Sequence, residues 1–104
     1  MINIVDIKQM FQKRAIRWEE HIIKRCLQRR ISMNDVEAAI MNGEIIEQYP
    51  DDYPYPSCLI LGLDEKGRYI HVLCALSGDV VCLITTYEPD TKEKWNNDLK
   101  TRRG

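Results

Sequence analysis

The chain has few of the residues that build phosphate loops or metal frameworks. Glycine occurs five times in 104 residues, and no cluster of glycines forms a P-loop, which argues against a nucleotide-triphosphate enzyme. No apolar run approaches the length needed to cross a bilayer, and no basic-then-apolar leader opens the chain. The expectation is a cytoplasmic protein without membrane attachment. Its four cysteines, Cys26, Cys58, Cys74 and Cys82, lie in apolar segments and never form C-x-x-C. They read as small core side chains in a reducing compartment, with packing of Cys74 against Cys82 favoured over a disulfide. A zinc site can be drawn from His71, Cys74 and Cys82, but the paired spacing of zinc ligands is missing, so neither metal nor cofactor is expected. Internal repeats and low-complexity stretches are also missing.

What is present describes one domain over residues 1–104, with an apolar fraction of 44% and a charged fraction of 30%. These are the proportions of a folded globular chain. The net charge of -1 hides an uneven distribution. Through Ile31 eight basic residues face three acidic ones, a net of +5; from Ser32 to Asp90 two face eleven, a net of -9; the tail from Thr91 returns to +3. Basic ends around an acidic middle allow a local site for an anionic ligand without general nucleic-acid affinity, DNA included. They equally allow a basic protein partner to dock on the acidic part.

Periodicity divides the chain into helices followed by strands. Ile4, Ile7 and Phe11 suggest a first helix through about Lys13, and Ala15 to Trp18 reads as a break or short extended link. A second helix runs from about Glu19 to Arg30 with Trp18 stapled into the core. Ser32 and Asp35 form a capping box for a third helix, for which Gly43 is a left-handed stop. Strands follow at Ile45 to Tyr49, Cys58 to Leu63, Arg68 to Leu76 and Val80 to Tyr87, the first two separated by a proline-rich loop. Asp90 or Thr91 then caps a last helix through about Lys100, anchored by Trp95 and Leu99. The expected fold class is α+β, with N-terminal helices packed on a four-stranded antiparallel sheet and a C-terminal helix.

Two places carry chemistry. On the second helix His21, Arg25 and Arg29 recur at i, i+4 and i+8 and share a face. Histidine titrates near neutrality and arginine is a fixed fork of donors suited to phosphate, so the stripe has the groups of a site acting on a phosphodiester, although such stripes are also ordinary solvated faces. On the last two strands, a turn centred on Gly78 would pair His71 with Thr85 and Cys74 with Cys82, and put Tyr69, His71, Thr85 and Tyr87 at the polar end of one sheet face. The opposite face, with Ile70, Val72, Cys74, Leu76, Val80, Cys82, Ile84 and Thr86, would be core. A half-buried histidine and tyrosine with satisfied hydrogen bonds is the plain alternative for that polar cluster.

The runs Trp18-Glu19-Glu20-His21, Arg25, Arg29, Ile31-Ser32, Asp35-Val36, Ala39-Ile40, Asn42-Gly43-Glu44-Ile45-Ile46, Tyr49-Pro50-Asp51-Asp52, His71-Val72 and Thr85-Thr86-Tyr87-Glu88-Pro89 closely resemble the prokaryotic domain of unknown function 4258 family. The likeness extends from about Ile16 to Trp95. It departs at Glu19, where the family usually has Ser or Thr. The resemblance implies a small toxin of a toxin-antitoxin pair with a fold similar to RelE and MqsR ribonucleases. The function it suggests is metal-independent endoribonuclease cleavage of RNA, by attack of a 2′-hydroxyl on the adjacent phosphate. His21, Arg25, His71 and Tyr87 would be catalytic, with one histidine as base and the other as acid. Arg29, Tyr49 and Thr85 would bind the RNA substrate, and a cognate antitoxin would be the protein partner. The rival expectation is a non-catalytic protein-binding module whose acidic strands hold a basic partner.

Overall fold

A computed structural model describes residues 1–104. The elements in chain order are α1 (Ile4–Gln12), β1 (Ile16–Trp18), α2 (Glu20–Arg29), α3 (Met33–Asn42), β2 (Glu44–Tyr49), β3 (Ser57–Leu63), β4 (Tyr69–Ser77) and β5 (Val80–Tyr87). The strands form one five-stranded mixed sheet in the order β1-β5-β4-β3-β2. Strands β2 to β5 are the expected antiparallel meander. The expected four-stranded antiparallel sheet with a C-terminal helix is nevertheless overturned at both ends of the chain. Ile16 to Trp18 form a fifth strand parallel to β5, opposite Val81, Cys82 and Leu83. Three residues are too short to show alternation, so only the partner strand defines β1.

The C-terminal helix is absent. Asp90 accepts from Lys94 N and Trp95 N, which closes a single turn, and Trp95 then bridges Arg102 across a loop. Asn96, Asn97 and Asp98 explain the stop, since their side chains compete for backbone groups and do not extend a helix. Asp98 caps the N–H groups of Lys100 and Thr101, and Leu99 adopts a left-handed φ of 63°. Trp95 is an anchor as expected, 1% exposed, but it anchors a loop.

The three helices cover one face of the sheet, where Ile7, Phe11, Ile22, Val36, Ile40 and their neighbours meet Ile60, Ile70, Val72 and Leu83. Helix α3 begins at the predicted capping box, Ser32 accepting from Asp35 N at 2.9 Å while the Asp35 carboxylate accepts from Ser32 N. The Glu19 departure does not move α2: Glu19 occupies the cap position without a capping bond, its carboxylate taken by Arg17 at 2.8 Å. Gly43 is not a left-handed stop, because its φ is -89°. It is glycine for space, since a Cβ there would lie 2.3 Å from the Ala39 carbonyl oxygen; at Gly62 the same atom would be 1.9 Å away. Helix α3 therefore rides directly on the sheet backbone at these two residues.

The hairpin turns on two residues, Gly78 and Asp79, with Ser77 opposite Val80, and is not centred on Gly78; this turn and a bulge further along β4 and β5 together change the expected register. His71 pairs with Tyr87 and Leu73 with Thr85, but Cys74 then pairs with Leu83, leaving Ile84 as the extra residue. Beyond the bulge β5 is turned over relative to simple alternation. Val81 and Leu83 face the helices, whereas Cys82 and Ile84 line the other side beside Arg17 and Tyr55. The expected Cys74–Cys82 contact does not form. Cys74 packs on Cys58, with Sγ atoms 3.7 Å apart.

Candidate active site

The sheet face away from the helices carries His71, Leu73, Thr85 and Tyr87 together, because alternation holds up to the bulge. The tail folds across one end of this face and encloses His71 completely; its exposure is 0%. The Trp95 indole stands edge-on to the imidazole with centroids 4.5 Å apart, and the Tyr87 ring is also edge-on to it at 5.2 Å. The imidazole Nε2 lies 2.7 Å from the Leu99 carbonyl oxygen and Nδ1 lies 3.2 Å from the Tyr87 hydroxyl. A carbonyl only accepts, so Nε2 carries the proton, and in the neutral ring Nδ1 accepts the hydrogen bond that Tyr87 donates. Burial lowers the His71 pKa below its ordinary value, although the Leu99 carbonyl and Glu47 pull the other way. Burial likewise raises the Tyr87 phenol, with Arg102 opposing. Both groups are therefore neutral near pH 7 and linked in one direction, Tyr87 to His71 to Leu99.

A second network braces the tail. Arg102 forks onto Glu47, with Nε 3.1 Å from Oε2 and Nη2 3.0 Å from Oε1, and its Cζ lies 4.6 Å from the Trp95 ring centroid. Tyr49 donates to the same Glu47 carboxylate. Burial would raise the Glu47 pKa, but the Arg102 and Tyr49 hydrogen bonds outweigh it and the net shift is downward. Lys100 pairs with Glu44 at 2.7 Å. The basic tail thus neutralises part of the acidic middle of its own chain, at Glu44 and Glu47, where the charge pattern alone allowed a foreign basic partner.

Tyr87 and Arg102 are shared by two adjoining cavities. The first, of about 640 Å³, has Arg29, Lys94, Glu88, Asp90 and Trp95 in its wall. Glu88 is paired with Arg68 at 3.1 Å and Arg102 with Glu47, which leaves Arg29 and Lys94 against the single carboxylate of Asp90. Arg29 is aimed by a 2.7 Å bond from Nη1 to the Thr86 carbonyl, and the Thr86 hydroxyl donates to the His71 carbonyl at 2.8 Å. The second cavity, of about 510 Å³, has Leu59, Leu73 and Thr85 among its lining, with Tyr49, Asp51 and Asp52 around it.

The sequence model of the family described as domain of unknown function (DUF4258) matches residues 18–88. The chain belongs to this family. No curated protein and no solved structure matches it. Within the DUF4258 match lie all seven candidate site residues, His21, Arg25, Arg29, Tyr49, His71, Thr85 and Tyr87, and the structure distributes them unevenly. It brings Arg29, Tyr87 and, in the adjoining cavity, Tyr49 and Thr85 around one opening. His71 lies directly behind Tyr87, closed off from solvent. His21 is on the exposed side of α2, where its Nε2 accepts from Arg25 Nε at 3.4 Å, and Arg25 also donates to Gln28 at 2.7 Å. Neither His21 nor Arg25 lines the two cavities. Direct contact of both histidines with one phosphate is therefore not the arrangement seen.

Lys94, Trp95, Leu99 and Arg102, which complete the site, fall after residue 88 and outside the matched segment. Trp95 was legible as an apolar anchor. Nothing in the sequence marked the Leu99 carbonyl as the acceptor for His71 or Arg102 as the partner of Glu47, because both depend on the path of an irregular loop. The candidate zinc set is divided, with Cys74 on the helix side and His71 and Cys82 on the other, and no three His, Cys, Asp or Glu side chains are grouped to hold a metal. No helix is long and apolar enough to cross a membrane.

Proposed function

We propose that this chain is a metal-independent endoribonuclease in which Tyr87, backed by His71, takes the proton from a ribose 2′-hydroxyl as that oxygen attacks the adjacent phosphorus. The observation that carries the reading is the hydrogen-bonded line from Tyr87 through His71 to the Leu99 carbonyl, opening on a cavity walled by Arg29 and Lys94. Tyr87 accepts the 2′-hydroxyl proton and passes its own to Nδ1 of His71. The resulting imidazolium keeps its Nε2–H bond to Leu99 and is attracted by Glu47, whose carboxylate raises the His71 pKa against the effect of burial. Arg29 holds the phosphate oxygens where charge builds up, and the Lys94 ammonium protonates the departing 5′-oxygen. Arg25, one turn back along α2, extends the cationic stripe to a neighbouring phosphate, with His21 one turn further along the same face. The toxin role, with a cognate antitoxin as partner, is what the family resemblance implies.

The test is cleavage of mixed-sequence RNA by the purified chain with chelator present, scored for 2′,3′-cyclic phosphate ends, together with growth on expression. Tyr87→Phe should lower the rate by about a hundredfold or more, the size expected for losing a general base. Lys24→Gln, at an exposed residue outside both cavities, should leave it unchanged. A wild-type chain that neither cuts RNA nor slows growth sinks the proposal. A non-catalytic protein-binding module is the second reading, favoured by Tyr53, which is 92% exposed at the tip of the loop between β2 and β3.

A further inference from the structure

We propose that the groove beside Tyr87 is a subsite for one nucleobase, selective for guanine, next to the phosphate held by Arg29. The proposal rests on the RNA reading of the neighbouring cavity and names the base it recognises. The two cavities meet at Tyr87 and Arg102 but differ in chemistry. One presents Arg29 and Lys94 to an anion. The other has an aliphatic floor, built by Leu59, Leu73 and Thr85 on three neighbouring strands in direct register. Strands lie about 4.8 Å apart, so these three side chains make a flat strip roughly 10 Å long. That is the footprint of a purine lying on its face.

The rim of the groove excludes a second phosphate. Asp51 and Asp52 line it, and a phosphate placed against two carboxylates would be repelled. The charged part of a nucleotide is thus directed to Arg29 and its neutral part to the groove. Asp52 is fixed in place, its Oδ2 accepting from the Ser57 hydroxyl at 2.7 Å and its Oδ1 from Tyr53 N at 3.1 Å. It holds the loop that carries the exposed Asp51, which lines the same groove as the strip. An ionised carboxylate only accepts hydrogen bonds. Guanine offers it two parallel donors, N1–H and the exocyclic amine. Adenine would set the lone pair of N1 against a carboxylate oxygen, and uracil and cytosine each bring a single donor group on a smaller ring. Selectivity comes from this repulsion as much as from the bonds gained.

The experiment measures binding of the four nucleoside monophosphates and of inorganic phosphate to the full chain, by titration calorimetry or amide chemical shifts. Guanosine monophosphate should bind at least about tenfold tighter than adenosine monophosphate, the scale of a paired hydrogen bond to a charged acceptor. Asp51→Asn should erase that difference while leaving inorganic phosphate binding unchanged. Equal affinity for all four nucleotides, or a guanine preference that survives Asp51→Asn, overturns the proposal. The RNA assay separates this from the reading beneath it. RNA cleavage without guanine preference removes the subsite alone, whereas a guanine preference in a chain that cuts no RNA supports the subsite and removes the nuclease.

Discussion

Tyr87→Phe isolates one hydroxyl at the centre of the site, and both of its consequences follow from the geometry. Phenylalanine keeps the edge-on contact with His71, where the rings sit 5.2 Å apart, so no cavity opens. What is lost is the donor to Nδ1 at 3.2 Å. His71 cannot compensate by changing tautomer, because Nε2 must keep its proton for the Leu99 carbonyl at 2.7 Å. With 0% exposure the ring has no water to turn to. The variant therefore leaves a buried acceptor unsatisfied, at a cost of about 1 to 3 kcal/mol. In a domain of this size that lowers the melting temperature by roughly 4 to 12 °C. The protein remains folded at 25 °C, so the hundredfold fall in RNA cleavage is read on a native population. Melting and initial rates measured on the same preparation decide the matter. An unchanged melting temperature would show that the hydrogen bond is not made, and a rate within threefold of wild type would show that the phenol does not carry the proton.

Acid should unfold the protein in two stages. The folded pKa of His71 is lowered, so the unfolded chain takes up that proton first; above about pH 6.5 nothing is lost, and below it stability falls by up to about 1.4 kcal/mol per pH unit until the folded pKa is reached. Asp35 and Asp64 are also lowered, burial being outweighed by backbone N–H donors and, for Asp64, by Arg68. Their contribution is complete above the ordinary carboxylate range and is lost as pH falls through it. Melts from pH 8 to pH 3 should show both stages, and His71→Gln should lack the first; a wild-type curve flat between pH 6.5 and pH 5 contradicts this. Gly62→Ala places a methyl 1.9 Å from the Ala39 carbonyl oxygen, so α3 must lift from the sheet at a cost of about 1 to 3 kcal/mol or more, read by urea unfolding. Trp95→Ala removes a side chain 1% exposed and should cost about 3 to 5 kcal/mol. It should also move the His71 titration, followed by NMR, back toward its ordinary value, and an unmoved titration would mean that Trp95 does not seal the imidazole.

Local rules recorded in the chain itself settled much of this architecture. The Ser32–Asp35 capping box, the apolar spacing of Ile7 with Phe11 and of Ile22 with Cys26, and the alternation along β3 and β4 each act within a few residues, and each is where its sequence places it. The stripe of His21, Arg25 and Arg29 and the shared face of His71, Thr85 and Tyr87 were legible for the same reason. Which of these residues meet was decided by tertiary structure. The bulge at Ile84 turned over half of β5, a three-residue strand found its partner more than sixty positions away, and an irregular tail closed His71. Periodicity cannot encode such outcomes, because a bulge, a short edge strand and a loop carbonyl have no repeating signal of their own. Helical phase set the directions of His21 and Arg29, but only the packing of α2 on β5 left Arg29 beside Tyr87 and His21 in solvent. A side chain's face is local information, while its distance from a residue on another element depends on how the layers dock.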